Sequence, residues 1–341
     1  MLSNFIFTCN AVLPIVLTIV VGYMLKMIGV FKGDFFTLLN KLSFRCCLPT
    51  MLFLNVYNIS NLGEIKHYGS ICLFTFVIVM STFFIAALLA AVLMKDNRQK
   101  GVMVQASYRS NNAIIGLSLV MSLAAENLKA IGVISVLTAV FIPLFNVLAV
   151  ISLTMFMDED SSKSPAERIK ATLKKTAANP LIIGCALGFV CLIIRALLPT
   201  KAVDGGEVPV FTIRHTLPFL YKTLQSVGSC ATPIALIALG GNFTFSAVSR
   251  LKTPIAIGTL TRIVVVPTLT LVAAHFLGFG ANEFPALIAL FGTPVAVSSV
   301  PMATEMGNDD ELAGQLVVWT SVFSALTLFI EIFVCTQIGI F

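Results

Sequence analysis

Long apolar runs of membrane-crossing length alternate along this chain with short polar punctuation. A helix needs about 20 apolar residues to cross the hydrocarbon core. Ten stretches meet that requirement: 4–25, 35–57, 68–94, 99–121, 128–156, 179–198, 214–241, 253–277, 284–305 and 312–338. They are called segments 1 to 10, and the pattern predicts ten transmembrane helices. The first run, Phe5 to Leu25, lacks a basic n-region and a small-residue cleavage site, so it is expected to be a true span rather than a signal peptide.

Basic residues orient the expected bundle, because short cytoplasmic loops are enriched in Lys and Arg. The loops after segments 1, 3, 5, 7 and 9 hold Lys26, Lys32, Lys95, Arg98, Lys100, Lys163, Arg168, Lys170, Lys174, Lys175, Arg250 and Lys252. The opposite loops hold Lys66, Lys129, Arg195, Lys201 and Arg214. Twelve against five places the first set in the cytoplasm and both termini outside. The longest connection divides the chain into residues 1–156, a charged cytoplasmic loop 157–178, and residues 179–341. Five segments lie on each side of it. An odd number per half forces the halves into opposite orientations, which is the arithmetic of the inverted repeats common in secondary transporters.

Segments 4 and 9 are interrupted. Segment 4 reads Gln105-Ala-Ser-Tyr-Arg-Ser-Asn-Asn-Ala-Ile-Ile-Gly-Leu-Ser118, and segment 9 reads Phe291-Gly-Thr-Pro-Val-Ala-Val-Ser-Ser-Val-Pro301. Ser110, Asn111 and Asn112 favour local side-chain bonding over a helix interior, and Pro294 and Pro301 remove backbone donors. Each is the fourth segment of its half. Irregular backbone at membrane depth is tolerated only where it lines a cavity or is buried in protein, and paired interruptions in two halves point to a substrate site. If both segments unwind at their centres, two new helix N-termini converge from opposite sides. Their free N–H groups and partial positive charge suit an anion such as a carboxylate.

Composition agrees. Of 341 residues, 57% are hydrophobic and 11% charged, with a mean hydropathy of +0.97. A soluble domain carries about 25% charged residues. The eight cysteines (Cys9, Cys46, Cys47, Cys72, Cys185, Cys191, Cys230 and Cys335) all fall in apolar segments without a CxxC or His-containing pattern. They read as packing residues rather than a disulfide framework or metal site. No catalytic triad, HExxH, GxSxG, phosphate loop or nucleic-acid patch is present, so neither an enzyme nor a cofactor is expected.

Charges inside the membrane are costly and usually functional. Lys41 and Arg45, near the inner end of segment 2, are placed to snorkel. Arg109 directly precedes Ser110-Asn111-Asn112 and could neutralise a bound anion or cap the broken backbone. Lys222 shares a helix face with Gln225, Ser226 and Ser229, a polar stripe expected to face a cavity. Arg262 lies about 13 Å into segment 8 at 1.5 Å per residue, too deep for simple snorkelling, with Glu305, Asp309 or a backbone carbonyl as candidate partners. Acidic residues are scarcer still. Glu331 alone lies well inside a segment, and neither interruption carries a carboxylate, which argues against a cation site there. Asn308 to Glu311 looks like a helix start with Asn308 as N-cap.

At these residues the chain resembles the auxin efflux carrier family, which includes plant PIN-formed carriers and bacterial malate-permease-like proteins. Leu48-Pro49 before Leu52-Phe53 is similar to the family's LP..LF element, and Asn111 through Gly116 to its N-x4-G-x-P element, with Ser118 in place of the proline. Asn179-Pro180-Leu181, Pro233 through Gly240, Arg262 with Pro267, and Pro294, Ala303, Gly307 and Asp310-Glu-Leu-Ala313 follow in family order. Ser299 stands where plant members have a second proline. The resemblance implies an all-α fold similar to bile-acid symporters and sodium/proton antiporters, a 5+5 inverted repeat with crossing segments 4 and 9. Segments 1, 2, 6 and 7 would form a scaffold, often dimeric, and segments 3–5 and 8–10 a moving transport domain working as an elevator. Asn111 would be a substrate ligand and Pro294 would set the second break.

Together these readings give a multi-pass cell-membrane transporter for a small organic anion, a dicarboxylate or an auxin-like acid. Asn111, Asn112 and Arg109 from segment 4, with Thr293, Pro294, Ser298 and Ser299 from segment 9, are the expected substrate-binding residues. Lys222, Gln225 and Arg262 are expected at a cavity or gate. A sodium-coupled symporter and a non-transporting membrane sensor are the competing readings.

Overall fold

The computed structural model describes residues 2–59, 68–123, 127–157, 174, 177–203 and 206–340. The charged connection expected at 157–178 lies almost wholly outside the described residues, as does Lys66. Within them, helices occupy all ten apolar stretches. Segment 1 is Leu2–Met27, segment 3 Gly69–Leu93, segment 5 Leu128–Thr154, segment 6 Pro180–Leu197 and segment 10 Asp310–Gln337. Segment 7 is Pro218–Ser229 followed by Ala231–Asn242. Six of these helices are long and apolar enough to cross a membrane: Gly69–Leu93, Lys129–Thr154, Pro180–Leu197, Pro218–Asn242, Lys252–Phe276 and Asp310–Gln337. Outside the bundle, the link after segment 6 forms a small antiparallel hairpin, Thr200–Val203 with Gly206–Pro209, where the chain is no longer apolar enough to continue a membrane helix.

Proline shapes three segments in the same way. Segments 2, 8 and 9 each contain one π-helical turn, at Ser43–Cys47, Thr261–Val265 and Ile288–Gly292. Each turn ends two residues before a proline: Pro49, Pro267 and Pro294. A proline has no N–H for the carbonyl four residues back, and the widened turn absorbs that mismatch. In segments 2 and 8 the helix resumes, as Leu48–Tyr57 and Val266–Phe276. In segment 9 it unwinds first, and a helix restarts only at Ser299.

The starts of segments 5, 6 and 10 are capped by short polar side chains, which meet backbone donors without intrahelical acceptors. Asn127 accepts from the Lys129 and Ala130 amides, and Asn179 accepts from Leu181 with Pro180 in the first turn. At segment 10 the cap is Asp309, which accepts from Leu312, one residue later than the expected Asn308. Asn308 instead sends its side-chain amide to the Leu153 and Met306 carbonyls. Its side chain is committed to a tertiary contact and is not available to cap.

Packing is closest where glycines let backbones touch. A Cβ on Gly22 would lie 2.1 Å from the Ile237 carbonyl oxygen, and one on Gly240 would lie 1.9 Å from that of Ile19. Segments 1 and 7 thus meet backbone to backbone through a small residue on each, the usual device for membrane helices. The buried apolar residues form two clusters. One joins segments 1, 2, 6 and 7 to parts of 4, 5, 8, 9 and 10; the other joins segments 3, 4, 5, 8, 9 and 10. Large apolar side chains also cover the outside: Val92 is 72% exposed, Leu93 73% and Phe276 83%. Such a surface suits lipid and not water.

Candidate functional site

Segments 4 and 9 are both broken at their centres, and the breaks are zipped together. Segment 4 is Asn97–Tyr108, then an extended residue at Arg109, then Asn112–Leu123. Segment 9 runs Phe284–Leu287 and Ile288–Gly292, unwinds, and resumes as Ser299–Glu305. Ser110 and Val295 form an isolated antiparallel bridge. The Asn111 amide donates to the Pro294 carbonyl at 2.8 Å, and the Ala296 amide donates to the Arg109 carbonyl at 3.4 Å. Each unwound strand therefore satisfies polar backbone that the other has exposed, as low-dielectric surroundings demand. From segment 10, the Thr320 hydroxyl accepts from the Val295 amide at 3.1 Å.

Arg262 closes this junction from behind. It is fully buried, and every hydrogen bond it makes goes to a backbone carbonyl. Nε and Nη2 reach Thr293 at 3.1 and 2.9 Å, and Nη2 also reaches Leu290 at 3.1 Å. Nη1 reaches Ser107 at 3.4 Å and Tyr108 at 3.3 Å. Leu290 stands four residues before Pro294, so Arg262 supplies the very donor that the proline lacks. Ser107 and Tyr108 are the last carbonyls of Asn97–Tyr108. One cation thus caps the C-terminal ends of two converging half-helices, where a positive charge is favoured. Of its candidate partners, the carbonyls are correct. Glu305 pairs instead with Arg45 at 3.1 Å, and Asp309 accepts from Leu312 and from the Gln99 side chain. Arg262 is not at the cavity, because its guanidinium is consumed by backbone.

On the other side of the junction lies a cavity of about 120 Å³. Arg109, Ser110, Asn111, Asn112, Asn146 and Ser298 give it a polar wall. Leu48, Met51, Leu52 and Asn55 of segment 2, with Ala231, Thr232 and Ala235 of segment 7, form the facing wall, and Ile142 and Phe145 extend its apolar lining. Arg109 is 3% exposed. Its Nη2 donates to Asn146 Oδ1 at 2.6 Å and to Ser298 Oγ at 2.8 Å, while Nη1 lies 3.5 Å from both Gln105 Oε1 and Ser299 Oγ. None of these partners is a carboxylate. The site therefore holds a buried guanidinium whose charge no Asp or Glu among the described residues offsets. Asn111 and Asn112 are 3% and 1% exposed, and the side-chain Nδ2 of each is buried with no hydrogen-bond partner among the described residues. Unmet buried donors cost about 1–3 kcal/mol each. Two of them, beside an unneutralised guanidinium and the start of a 12-residue helix, make a cavity built to receive an acceptor with negative charge.

Four of the seven expected ligands, Arg109, Asn111, Asn112 and Ser298, line this cavity together. Thr293, Pro294 and Ser299 do not. Thr293 is fully buried with its hydroxyl on the Ala289 carbonyl, Pro294 is spent on the backbone pairing, and Ser299 lies behind Arg109. Lys222, Gln225, Ser226 and Ser229 are all exposed, and none of them lines this cavity. Helical periodicity identifies a shared face but not what that face looks at. Sequence reading missed Asn146, Asn55 and Thr232. Asn146 sits alone in an apolar helix, and such an intramembrane polar residue is itself a signal of function.

Comparison with known proteins follows the same lines. An uncharacterized transporter of Methanocaldococcus jannaschii is 20% identical over 320 residues, covering 94% of this chain and 96% of that protein. The family described as membrane transport protein matches residues 7–332. With nearly its whole length so matched, the chain belongs to this auxin efflux carrier-like family of membrane transport proteins.

Proposed function

We propose that the protein is a secondary transporter of a small organic anion, binding a carboxylate between the breaks of segments 4 and 9. The observation that carries this reading is the pair of amide donors at Asn111 and Asn112, unmet among the described residues, beside a guanidinium with no acidic partner among them. A carboxylate would accept from both amides and balance the charge of Arg109. The facing apolar wall gives the rest of the substrate a dry surface, so a compact organic acid fits better than an inorganic anion. One cation at the site favours seating one carboxylate there. A second carboxylate, if present, would have only neutral donors such as Asn55 and Thr232.

In this reading the ten segments are ten spans, arranged as a 5+5 inverted repeat with both termini outside the cytoplasm. Segments 1, 2, 6 and 7 act as scaffold and segments 3–5 and 8–10 as the moving body. The position of the cavity, with segments 2 and 7 on one wall and 4, 5 and 9 on the other, supports that division. An elevator motion would carry the bound anion past the apolar wall of segments 2 and 7. A homodimer through the scaffold would hold that wall still in the membrane. The test is counterflow in proteoliposomes, using a panel of labelled mono- and dicarboxylates. Saturable exchange of at least one acid by the wild type, and its loss in Asn111→Ala, is the expected result; no exchange of any organic acid by the wild type would overturn the reading.

A further inference from the structure

A second cavity, of about 240 Å³, opens at the end of the bundle where segments 1 and 2 connect. It lies between the start of segment 2 and the end of segment 7 on one side, and the end of segment 9 and the start of segment 10 on the other. Its polar lining is rich in oxygen: Asn40, Asn242, Thr304, Asp310, Glu311 and Gln315.

The hydrogen bonds decide which of these oxygens are free. Glu311 is taken, pairing with Arg250 and accepting from the Thr244 hydroxyl at 3.3 Å. Gln315 is taken at both ends, by the Thr244 carbonyl and by Trp319 Nε1, each at 3.1 Å. The Thr304 hydroxyl lies 3.1 Å from the Val300 carbonyl and 3.3 Å from Asp310 Oδ2, and has one proton to give. Asp310 has no cationic partner among the described residues. Asn40 is the telling residue. It is 1% exposed, its Nδ2 is committed to Thr304 Oγ1 at 3.4 Å, and its Oδ1 is buried with no donor among the described residues. A buried acceptor without a donor is as costly as an unmet donor. Beside an unpaired carboxylate it is the converse of the central cavity: acceptors awaiting positive charge.

We infer that this cavity is a binding site for a monovalent alkali-metal cation, held by Asn40 Oδ1, the Asp310 carboxylate and the Thr304 hydroxyl oxygen. Hard cations take oxygen ligands of this kind. A divalent ion is disfavoured, since one free carboxylate cannot balance it and no group of three Asp, Glu, His or Cys is placed to hold a metal ion among the described residues. Because the ligands come from segment 2 on one side and segments 9 and 10 on the other, the ion would tie the two sides together at this end. The site is separate from the anion cavity and stands or falls independently of it.

The test is thermal unfolding of the purified full-length protein in detergent, titrated with NaCl or KCl while choline chloride holds ionic strength constant. A ligand of the folded state raises the midpoint in a saturable way. The expected result is such a rise for Na⁺ or K⁺ over choline and none specific to Mg²⁺ or Ca²⁺. Asp310→Asn should abolish the cation-dependent rise, and Asn40→Ala should raise the half-saturating concentration about tenfold, the loss of one contact to a charged group. A merely structural role for either residue would lower the midpoint equally in sodium and in choline. Asn40→Asp, which adds charge without removing the oxygen, should lower the half-saturating concentration. Asn111→Ala should keep the full cation response, so failure of the anion site and failure of the cation site give different results. The inference is overturned if the wild type shows no alkali-ion effect beyond choline, or if the effect survives in both Asp310→Asn and Asn40→Ala.

Discussion

Arg262 donates twice to the carbonyl of Thr293, through Nε at 3.1 Å and through Nη2 at 2.9 Å. Thr293 is the residue at which segment 9 leaves its helix, and its neighbour Pro294 brings no backbone donor. The guanidinium fork therefore holds the last turn before the break, while Nη1 does the same for segment 4. A basic residue expected from the sequence at a cavity or gate thus spends its guanidinium on backbone carbonyls.

Removing that clamp should affect folding before it affects binding. Arg262→Leu leaves several buried carbonyls without donors, at about 1–3 kcal/mol each, and should give little monodisperse protein by size-exclusion chromatography. Arg262→Lys keeps the charge but not the planar fork, and should give intermediate yield and a lowered unfolding midpoint. A well-behaved Arg262→Leu protein with wild-type thermal stability would contradict this role.

Asn146 should matter through Arg109. Its Oδ1 accepts from Nη2 at 2.6 Å, while its own Nδ2 is spent on the Ile142 carbonyl at 2.7 Å, so the amide is locked in one orientation. Asn146→Leu would release the guanidinium from the wall. We expect affinity for the transported acid to fall about tenfold or more, by the loss of a charge-assisted contact that positions the cation. Asn146→Asp should instead neutralise Arg109 and suppress anion binding further. Equal affinity in all three proteins would remove Arg109 from the site.

The glycine contact between segments 1 and 7 should be intolerant of any side chain. A Cβ at Gly240 would meet the Ile19 carbonyl oxygen at 1.9 Å and the Tyr23 amide at 2.8 Å, both backbone atoms that cannot rotate away. Gly240→Ala should lower the unfolding midpoint markedly, in the range of about 1–3 kcal/mol that overpacking costs. Gly280→Ala, where nothing lies within 4 Å of the new atom, should leave it unchanged. Scanning fluorimetry of the two variants side by side separates the cases.

The expected orientation can be read directly by thiol labelling. On a background lacking the eight native cysteines, single cysteines at Ser162 and at Asn61 should react with an impermeant maleimide from opposite sides of the membrane. Reaction of both from the same side would rule out the ten-span arrangement.

Much of this was legible in the sequence, and the exceptions share a cause. Apolar length located the helical stretches, and the clustering of Ser110, Asn111 and Asn112 in one segment with Pro294 in another located both breaks. Those signals are local: each residue's own chemistry forbids an ordinary helix. What the sequence could not show is where side chains point after helices cross. Thr293 and Ser299 look like ligands in the linear motif but face their own helix and the back of Arg109. Lys222 and Gln225 share a face, yet that face looks outward. Asn146, 37 residues from Arg109, enters the site only through tertiary packing. The cap of segment 10 falls on Asp309 rather than Asn308 for the same reason, since Asn308 is recruited by Leu153 from another segment.

The central claim is that Asn111 and Asn112 wait, donors unmet, for the acceptor oxygens of an organic acid. Its most direct measurement is isothermal titration of a transported carboxylate into purified wild type, Asn111→Ala and Lys252→Ala, with ligand-free unfolding midpoints recorded alongside. Loss of one hydrogen bond to a charged ligand costs about 1.5–3 kcal/mol, roughly ten- to a hundredfold in affinity. Asn111→Ala should lose that much while keeping its ligand-free midpoint, because its Nδ2 makes no bond in the protein itself. Lys252→Ala, at the exposed start of segment 8, should bind as the wild type does. Wild-type affinity in Asn111→Ala, with the midpoint unchanged, would show that the crossover is only a structural junction and that the anion binds elsewhere.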